Sequence, residues 1–222
     1  MFRVKICGIT STGDAQAAAA AGADAIGLNF YSGSPRCCPL QVAQKIAATV
    51  GPHVCKVGVF VNATADEIRH AALSVPLDAV QLHGDEPPEF LREIRALPIV
   101  RAMRLGDDLA PIAAYLAACH RLVAMPRMLL LDASRGDQFG GTGTSIDWAL
   151  LAANRQHLGG MPLVLAGGLT PDNVAAAIAL VRPWAVDVAS GVELAPGSKS
   201  PELVAQFVSA AKKAFAKLSS RC

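Results

Sequence analysis

The sequence lacks any long uninterrupted apolar segment, although 52% of its 222 residues are hydrophobic. Gly, Pro or a charged residue interrupts each apolar stretch before it reaches the roughly 20 residues that a membrane-spanning helix needs. The amino-terminal residues, MFRVKICGIT, contain no apolar core of signal-peptide length. We therefore expect a cytoplasmic protein with no membrane partner.

The sequence also lacks a concentration of charge of either sign. Its formal net charge is +2, and its basic residues are scattered. Lys212, Lys213 and Lys217 gather near the end of the last predicted helix, and we interpret them as a solvated face. No basic patch indicates a nucleic-acid partner.

The sequence contains cysteine and histidine, but it lacks the spacings that are typical of disulfide frameworks and metal sites. The six cysteines, at positions 7, 37, 38, 55, 119 and 222, match neither a disulfide scaffold nor a CxxC pair. The five histidines include no pair at ligand spacing on one helix. We predict free thiols and no bound metal.

The sequence does contain one repeated unit, an apolar strand followed by a helix. The strand-like runs are 4–7, 25–30, 54–61, 79–82, 98–103, 128–131, 163–166 and 185–189. The helical stretches are 14–21, 40–50, 65–73, 87–96, 108–120, 146–155, 171–181 and 201–217. Thr64 as an N-cap, and Thr170 before Pro171 at a first helical position, indicate two of the helix starts.

Strands that alternate with helices form a parallel sheet. Eight such units, with no Ser/Gly/Pro-rich linker between them, predict a single α/β domain over residues 1–222, an eight-stranded parallel (β/α)8 or TIM barrel. An open sheet of six units is the alternative. In a barrel, functional groups collect at the carboxyl ends of the strands, because the loops there converge on one mouth.

The sixth strand ends in a carboxylate that is followed by a glycine-rich loop. Asp132 follows the apolar run 128–131, and residues 134–143 include Gly141 and Gly143, where backbone N–H groups can approach an anion closely. This pattern favours a catalytic or anion-binding site. The alternative is that Asp132 caps a turn and that the glycines only turn the chain.

The first strand ends in a thiol with a cation beneath it. Lys5 and Cys7 point to the same side of a strand, and a nearby cation favours the thiolate. The alternative for Cys7 is a small hydrophobe packed in the core.

Polar residues also follow the second, fourth and fifth strands. Arg36 lies in the second loop, where its guanidinium suits a carboxylate or phosphate, although a solvated loop arginine is the alternative. Gln81 and His83 alternate to one side, and His83 serves as a hydrogen-bonding wall or as an acid or base. Arg101 and Arg104 have no role that the sequence assigns.

Glycines follow the seventh and eighth strands, which is where barrels commonly hold a phosphate. Gly167 and Gly168 precede a predicted helix start, and Ser190 and Gly191 follow the last strand. We predict that these four residues bind a phosphate and that Gly141 and Gly143 close the same pocket.

A series of motifs resembles the phosphoribosylanthranilate isomerase family, the (β/α)8 enzymes of tryptophan biosynthesis. They are KICGIT (5–10), SPR (34–36), VGVFVN (57–62), DAVQLHGDE (78–86), LLLDA (129–133), GGTG (140–143), DW (147–148), LAGGLTPDNV (165–174) and DVASGVE (187–193). They occur in order over nearly the whole chain. The departures are Ile146 before DW, where Phe is expected, and Cys37 and Cys38 after SPR.

The resemblance implies an Amadori rearrangement of N-(5-phosphoribosyl)anthranilate to the open-chain aminoketose, with no metal, redox partner or other cofactor. It implies that Asp132 is the general acid, which protonates the ribose ring oxygen, and that Cys7 is the general base, which removes the C2 proton. Arg36 would pair with the anthranilate carboxylate, and Asp187 would orient the sugar or amine, with Gln81 and His83 also binding substrate. The sequence leaves monomer and homodimer open.

Other functions are weighed against this one. Indole-glycerol-phosphate synthase would need a catalytic lysine and glutamates on early strands, and a pentose-phosphate epimerase would need paired aspartates and histidines for a metal. Neither set is present. Cys7 with Asp132 argues against a non-catalytic phosphometabolite-binding barrel, and the lack of a resolving cysteine pair weakens a thiol redox sensor.

Overall fold

The computed structural model describes residues 1–106, 108–132 and 148–219. Within them, eight parallel strands close into a barrel in sequence order, because β8 pairs with β1. The strands are β1 (Val4–Cys7), β2 (Ala25–Asn29), β3 (Cys55–Phe60), β4 (Ala79–Leu82), β5 (Ile99–Arg104), β6 (Met128–Asp132), β7 (Leu163–Leu165) and β8 (Ala185–Val188). The predicted (β/α)8 barrel is confirmed, and the open six-unit sheet is wrong.

Helices surround the barrel. They are α1 (Thr12–Ala20), α2 (Leu40–Val50), α3 (Ala65–Ser74), α4 (Ala110–Arg121), α5 (Trp148–Ala153), α6 (Val174–Val181) and α7 (Pro201–Ser219). A short antiparallel hairpin of β9 (Glu193–Ala195) and β10 (Ser198–Lys199) follows β8. None of the described helices has both the length and the apolar character needed to cross a bilayer.

The helix predicted for residues 87–96 is wrong. Only a short 3-10 helix, Pro88–Arg92, forms there. Pro88 lies in the first turn, where a helix tolerates proline, and Leu97 precedes Pro98, which disfavours a helical backbone at residue 97 only. The segment between Pro88 and Pro98 is long enough for about two α-helical turns, so the prolines do not explain the 3-10 helix.

The helix start predicted at Thr170 and Pro171 is also wrong, because α6 begins at Val174. A turn leads into α6, because Thr170 O accepts from Asn173 N at 3.3 Å and from Val174 N at 3.1 Å. The Asn173 side chain secures this turn: its Oδ1 accepts from Thr170 N at 2.8 Å, and its Nδ2 donates to Gly168 O at 2.9 Å. The start at Thr64 is confirmed by a capping box with Glu67.

The buried apolar residues form two layers. One layer lies between the strands and the helices and includes Leu129 and Leu131, and the other fills the inside of the barrel and includes Met128 and Leu130. Since side chains alternate along a strand, Asp132 shares the inward side with Leu130. By the same alternation, Asp187 and Gln81 share the inward side with Ala185 and Ala79 and lie nearer the carboxyl ends of their strands. Polar side chains therefore cover the interior apolar layer at that end of the barrel.

Candidate active site

One cavity, open to solvent, lies at the carboxyl ends of the strands. It collects every predicted site residue that the structure describes. These are Cys7, Arg36, Gln81, His83, Asp132, Gly167, Gly168, Asp187, Ser190 and Gly191. Gly141 and Gly143 lie outside the described residues.

A buried ion pair lies below Cys7. The fully buried Lys5 donates from Nζ to Asp187 Oδ2 at 2.8 Å. A side chain at Gly27 would meet both Cys7 Sγ, at 2.7 Å, and Lys5 Nζ, at 3.1 Å. Glycine at this position of β2 therefore leaves room for the thiol and the ammonium side by side.

Burial raises the pKa of the Cys7 thiol above its ordinary value. The positive charge of Lys5 lowers this pKa, as expected, and the negative charge of Asp187 raises it. Burial outweighs the effect of Lys5, so the net shift opposes the predicted thiolate. The pKa of Asp187 is also raised by burial, against the opposing effect of Lys5.

Three polar side chains form a row across the cavity from β4 to β6. Gln81 Nε2 lies 3.3 Å from His83 Nδ1, and His83 Nε2 lies 3.5 Å from Asp132 Oδ2. With the Gln81 amide oriented so that Nε2 donates to His83 Nδ1, the neutral His83 tautomer carries its proton on Nε2, which faces Asp132. The row links Asp132 to the wall formed by β4.

Two buried acceptor atoms at the cavity are unused. Gln81 Oε1 and Asp187 Oδ1 have no hydrogen-bond partner within the described part of the chain. Buried polar atoms are nearly always paired in native proteins, so an unpaired acceptor beside a cavity suits a donor from a bound molecule.

Arg36 is paired, and the alternative of a solvated loop arginine is wrong. Its Nε donates to Glu193 Oε1 at 2.9 Å, and its Nη2 donates to Glu193 Oε2 at 2.7 Å. The Arg36 side chain is only 13% exposed. Lys199 also pairs with Glu193, from Nζ to Oε1 at 2.7 Å.

The loops after β7 and β8 fit closely together. Gly167 and Gly168 have φ of 84° and 64°, in the left-handed region that favours glycine. A Cβ at Gly191 would lie 1.9 Å from Leu169 O, so only glycine permits this contact. The two loops present little side-chain bulk to the cavity.

Arg101, whose role the sequence left open, lies outside the cavity wall. It donates to Glu86 Oε2 at 2.7 Å and to the backbone oxygens of Leu82 and Gly84. Its guanidinium also lies over the Tyr115 ring, 5.1 Å from the centroid. Arg101 thus fixes the loop that follows β4.

Sequence reasoning missed several residues at the site. Asn29 and Tyr31 line the cavity, and Glu193 and Lys199 hold Arg36. Asn29 lies next to the end of the predicted strand 25–30, and Glu193 closes the DVASGVE motif, so both positions carried a signal. Lys199 had none, because only the fold of the β9–β10 hairpin brings it to Glu193.

The cysteines that the structure describes, at 7, 37, 38, 55 and 119, are free thiols. Within the same residues, no three His, Cys, Asp or Glu side chains are grouped so that they could hold a metal ion.

A closed (β/α)8 barrel with titratable side chains around a cavity at its carboxyl-terminal mouth is the arrangement that barrel enzymes share. The chain belongs to the N-(5'-phosphoribosyl)anthranilate isomerase family, whose model matches residues 4–210. It is therefore an isomerase of tryptophan biosynthesis, which converts an aldose derivative to a ketose by the Amadori rearrangement expected from the motifs. The predicted family and activity are confirmed.

Relatives and solved structures of this family cover almost the whole chain. The isomerase of Acidithiobacillus ferrooxidans is 47% identical over 211 residues, 94% of this chain and 96% of that protein. The isomerase of Pseudomonas fluorescens is 47% identical over 215 residues, 95% of this chain and 96% of that protein. The crystal structure of the Thermotoga maritima isomerase is 39% identical, with a TM-score of 0.84 over 96% of this chain and 100% of that chain.

A second solved isomerase is a complex with reduced 1-(o-carboxyphenylamino)-1-deoxyribulose 5-phosphate. It is 39% identical to this chain, with a TM-score of 0.82 over 96% of this chain and 100% of that chain.

Proposed function

We propose that Asp132 and Cys7 divide the proton transfers of the rearrangement. Asp132 as general acid protonates the ribose ring oxygen, the C1–O bond breaks, and the nitrogen lone pair forms an iminium with C1. Cys7 as general base then removes the proton from C2, which gives an enaminol. Addition of a proton to C1 and loss of the proton from the C2 hydroxyl then give the ketose.

The observation that carries this proposal is the convergence of the two groups on one cavity from separate strands. Cys7 ends β1 and Asp132 ends β6, and β7 and β8 lie between them in the barrel. A sugar between the two strands would have the acid on one side and the base on the other. The unpaired Asp187 Oδ1 and Gln81 Oε1 would accept from its hydroxyl or amine groups, and His83 would act as a wall beside Asp132.

Each of the two anionic ends of the substrate would meet groups in this cavity that suit an anion. Gly167, Gly168, Ser190 and Gly191 would surround the phosphate through backbone N–H groups, with Gly141 and Gly143 contributing as predicted. Arg36 would bind the anthranilate carboxylate. With Nε and one N–H of Nη2 bonded to Glu193, three N–H groups of its guanidinium remain for a second carboxylate.

The bound molecule of the similar complex supports this arrangement. By its name, it carries a carboxyphenyl group at one end and a 5-phosphate at the other. A molecule of that form has a carboxylate for the arginine and a phosphate for the glycine-rich loops, and both line this cavity.

Replacing Arg36 by methionine tests the carboxylate site. The loss of charge-assisted hydrogen bonds should cost on the order of 1.5 to 3 kcal/mol of binding, so KM should rise by roughly tenfold to a hundredfold with kcat nearly unchanged. Steady-state kinetics with N-(5'-phosphoribosyl)anthranilate measures both constants. Arg3→Met, which removes an arginine that lies over Trp184 and away from the cavity, is the control. An unchanged KM in Arg36→Met would contradict the assignment.

The phosphate site is tested by a crystal grown with sulfate and by one substitution. Sulfate should lie against the backbone N–H groups of Gly168 and Gly191. Gly191→Ala should raise KM roughly tenfold or more, because its Cβ displaces the loops that make these contacts, and each lost bond to a charged group costs about that factor. Gly13→Ala is the control, since the nearest atom to its Cβ is Ser11 Oγ at 3.8 Å. Side chains packed into the sulfate position, or an unchanged KM for Gly191→Ala, would sink the assignment.

The remaining expectations concern the setting of the enzyme. We propose that it works in the cytoplasm on its small phosphorylated substrate, without a nucleic-acid or membrane partner and without a cofactor or metal. Free thiols at the described cysteines agree with a reducing compartment. Monomer and homodimer both stay open. A similar Thermotoga maritima isomerase is described as dimeric and has been converted to monomers.

A further inference from the structure

We infer that Glu193 and Lys199 are positioning residues, which hold the guanidinium of Arg36 in place for the substrate carboxylate. The inference rests on the proposed function of Arg36. Glu193 and Lys199 belong to the β9–β10 hairpin, which is not part of the eight strand–helix units. The hairpin would therefore contribute to substrate specificity.

Glu193 is held by donors from three residues. Its Oε1 accepts from Arg36 Nε at 2.9 Å, from Lys199 Nζ at 2.7 Å and from Gly197 N at 3.2 Å. Its Oε2 accepts from Arg36 Nη2 at 2.7 Å. The Glu193 side chain is 4% exposed, and the Lys199 side chain is fully buried. A carboxylate fixed in this way gives the arginine a single orientation.

Arg36 needs such a support, because it comes from a loop and its side chain crosses another loop. A Cβ at Gly8 would lie 2.6 Å from Arg36 Cδ, so the arginine stem lies directly over the backbone that follows Cys7. An unsupported arginine would lose side-chain freedom when it binds a ligand, and prior fixation removes that cost.

The charges of the cluster favour an anion. Burial acts to raise the pKa of Glu193, but its bonds to Arg36 and Lys199 lower it overall, which favours the carboxylate. Burial lowers the pKa of Lys199, against the opposing effect of Glu193. While Lys199 is protonated, the two cations exceed the one carboxylate by one charge, and a ligand carboxylate bound to Arg36 would balance it.

The hairpin is tied to the loops around the cavity. Lys199 Nζ donates to Ala189 O at 3.0 Å, next to the loop proposed to hold the phosphate. Thr10 Oγ1 donates to Gly197 O at 2.5 Å, and a Cβ at Gly197 would lie 3.1 Å from Pro35 O. The hairpin therefore contacts the loops after β1, β2 and β8.

The test compares the binding of two ligands by calorimetry. One is reduced 1-(o-carboxyphenylamino)-1-deoxyribulose 5-phosphate, and the other is its phenylamino counterpart, which lacks only the carboxylate. The dissociation constant of the ligand without the carboxylate, divided by that of the ligand with it, measures how well each variant recognises the carboxylate. In Glu193→Gln this ratio should fall by roughly tenfold, the factor for one bond to a charged group, while affinity for the second ligand changes little.

Further variants separate positioning from stability. Lys199→Met should lower the ratio less than Glu193→Gln does, and Lys199→Arg should restore it, since arginine keeps a donor and a charge. Glu193→Asp keeps the carboxylate on a shorter side chain and should lower the ratio less than Glu193→Gln does. It replaces Glu193→Gln in the test if that variant does not fold. Asp78→Asn is the matched control, because it removes the partner of buried Lys56 at the start of β3 and should leave the ratio unchanged.

The outcome also separates this inference from the proposed function. If Arg36→Met leaves the ratio unchanged, Arg36 does not bind the carboxylate and the proposed function of this residue fails. If Arg36→Met makes the two dissociation constants equal, Arg36 binds the carboxylate. If the Glu193 and Lys199 variants then keep the ratio of the unmodified protein, Arg36 acts alone and the positioning role is overturned.

Discussion

Cys7→Ser and Asp132→Asn are each expected to lower kcat by roughly a hundredfold to ten-thousandfold, the usual contribution of one general acid or base. KM should change little, because the proposed phosphate and carboxylate contacts are made by other residues. Serine is far less acidic than a thiol and cannot supply a comparable base near neutral pH. Asparagine keeps the shape of Asp132 and removes its transferable proton.

Cys55→Ser is the control for the thiol, since Cys55 lies at the opposite end of the barrel and contacts the interior layer from below. It should keep the kcat of the unmodified protein. If Cys7→Ser also keeps full turnover and loses only stability, the thiol is part of the packing and His83 is the next candidate for the base.

Lys5→Met is expected to destabilise the fold by about 3 to 5 kcal/mol, the usual cost of removing one partner of a buried ion pair. The Lys5–Asp187 pair closes the barrel between β1 and β8, with both side chains buried. Methionine fills a similar volume but leaves the Asp187 carboxylate without a cation. The double variant with Asp187→Asn should recover part of the lost stability, because no unpaired charge then remains.

The pH dependence of Lys5→Met follows from the shifted pKa of Asp187. Burial raises this pKa in the folded state, and the variant has lost the cation that opposes the shift. Between the unfolded and the folded pKa, the folded state binds more protons, so stability should fall as the pH rises through this window. Urea unfolding at acidic and at neutral pH measures the difference. An equal loss at both pH values, or a loss well below 1 kcal/mol, would contradict the account.

The sequence predicted the barrel well because its signal is local and repeated. Each buried strand is a short apolar run, and the predicted run 128–131 forms the first four residues of β6, which ends in Asp132. The failures lay at the helices: only a 3-10 helix forms at Pro88–Arg92, and α6 begins three residues after Pro171. That residues 1–222 form one domain stays a prediction.

The site was predictable wherever a side chain stands at a strand end. Cys7, Gln81, Asp132 and Asp187 follow from period-two alternation at the barrel mouth, and motif resemblance suggested their roles. The network that holds them was not predictable. The contact of Arg36 with Glu193 spans 157 positions, and the pairing of Lys5 with Asp187 spans 182, so only the closed barrel brings these partners together.

The division of labour between Cys7 and Asp132 is tested most directly by the kinetic isotope effect on kcat with substrate deuterated at C2 of the ribose. Loss of the base should make C2 proton removal more rate-limiting, so Cys7→Ser should show a larger isotope effect than the unmodified enzyme. Loss of the acid should slow ring opening before that step, so Asp132→Asn should show a smaller one. A Cys7→Ser enzyme with no increase in the isotope effect, or an Asp132→Asn enzyme with a larger one, would contradict these roles.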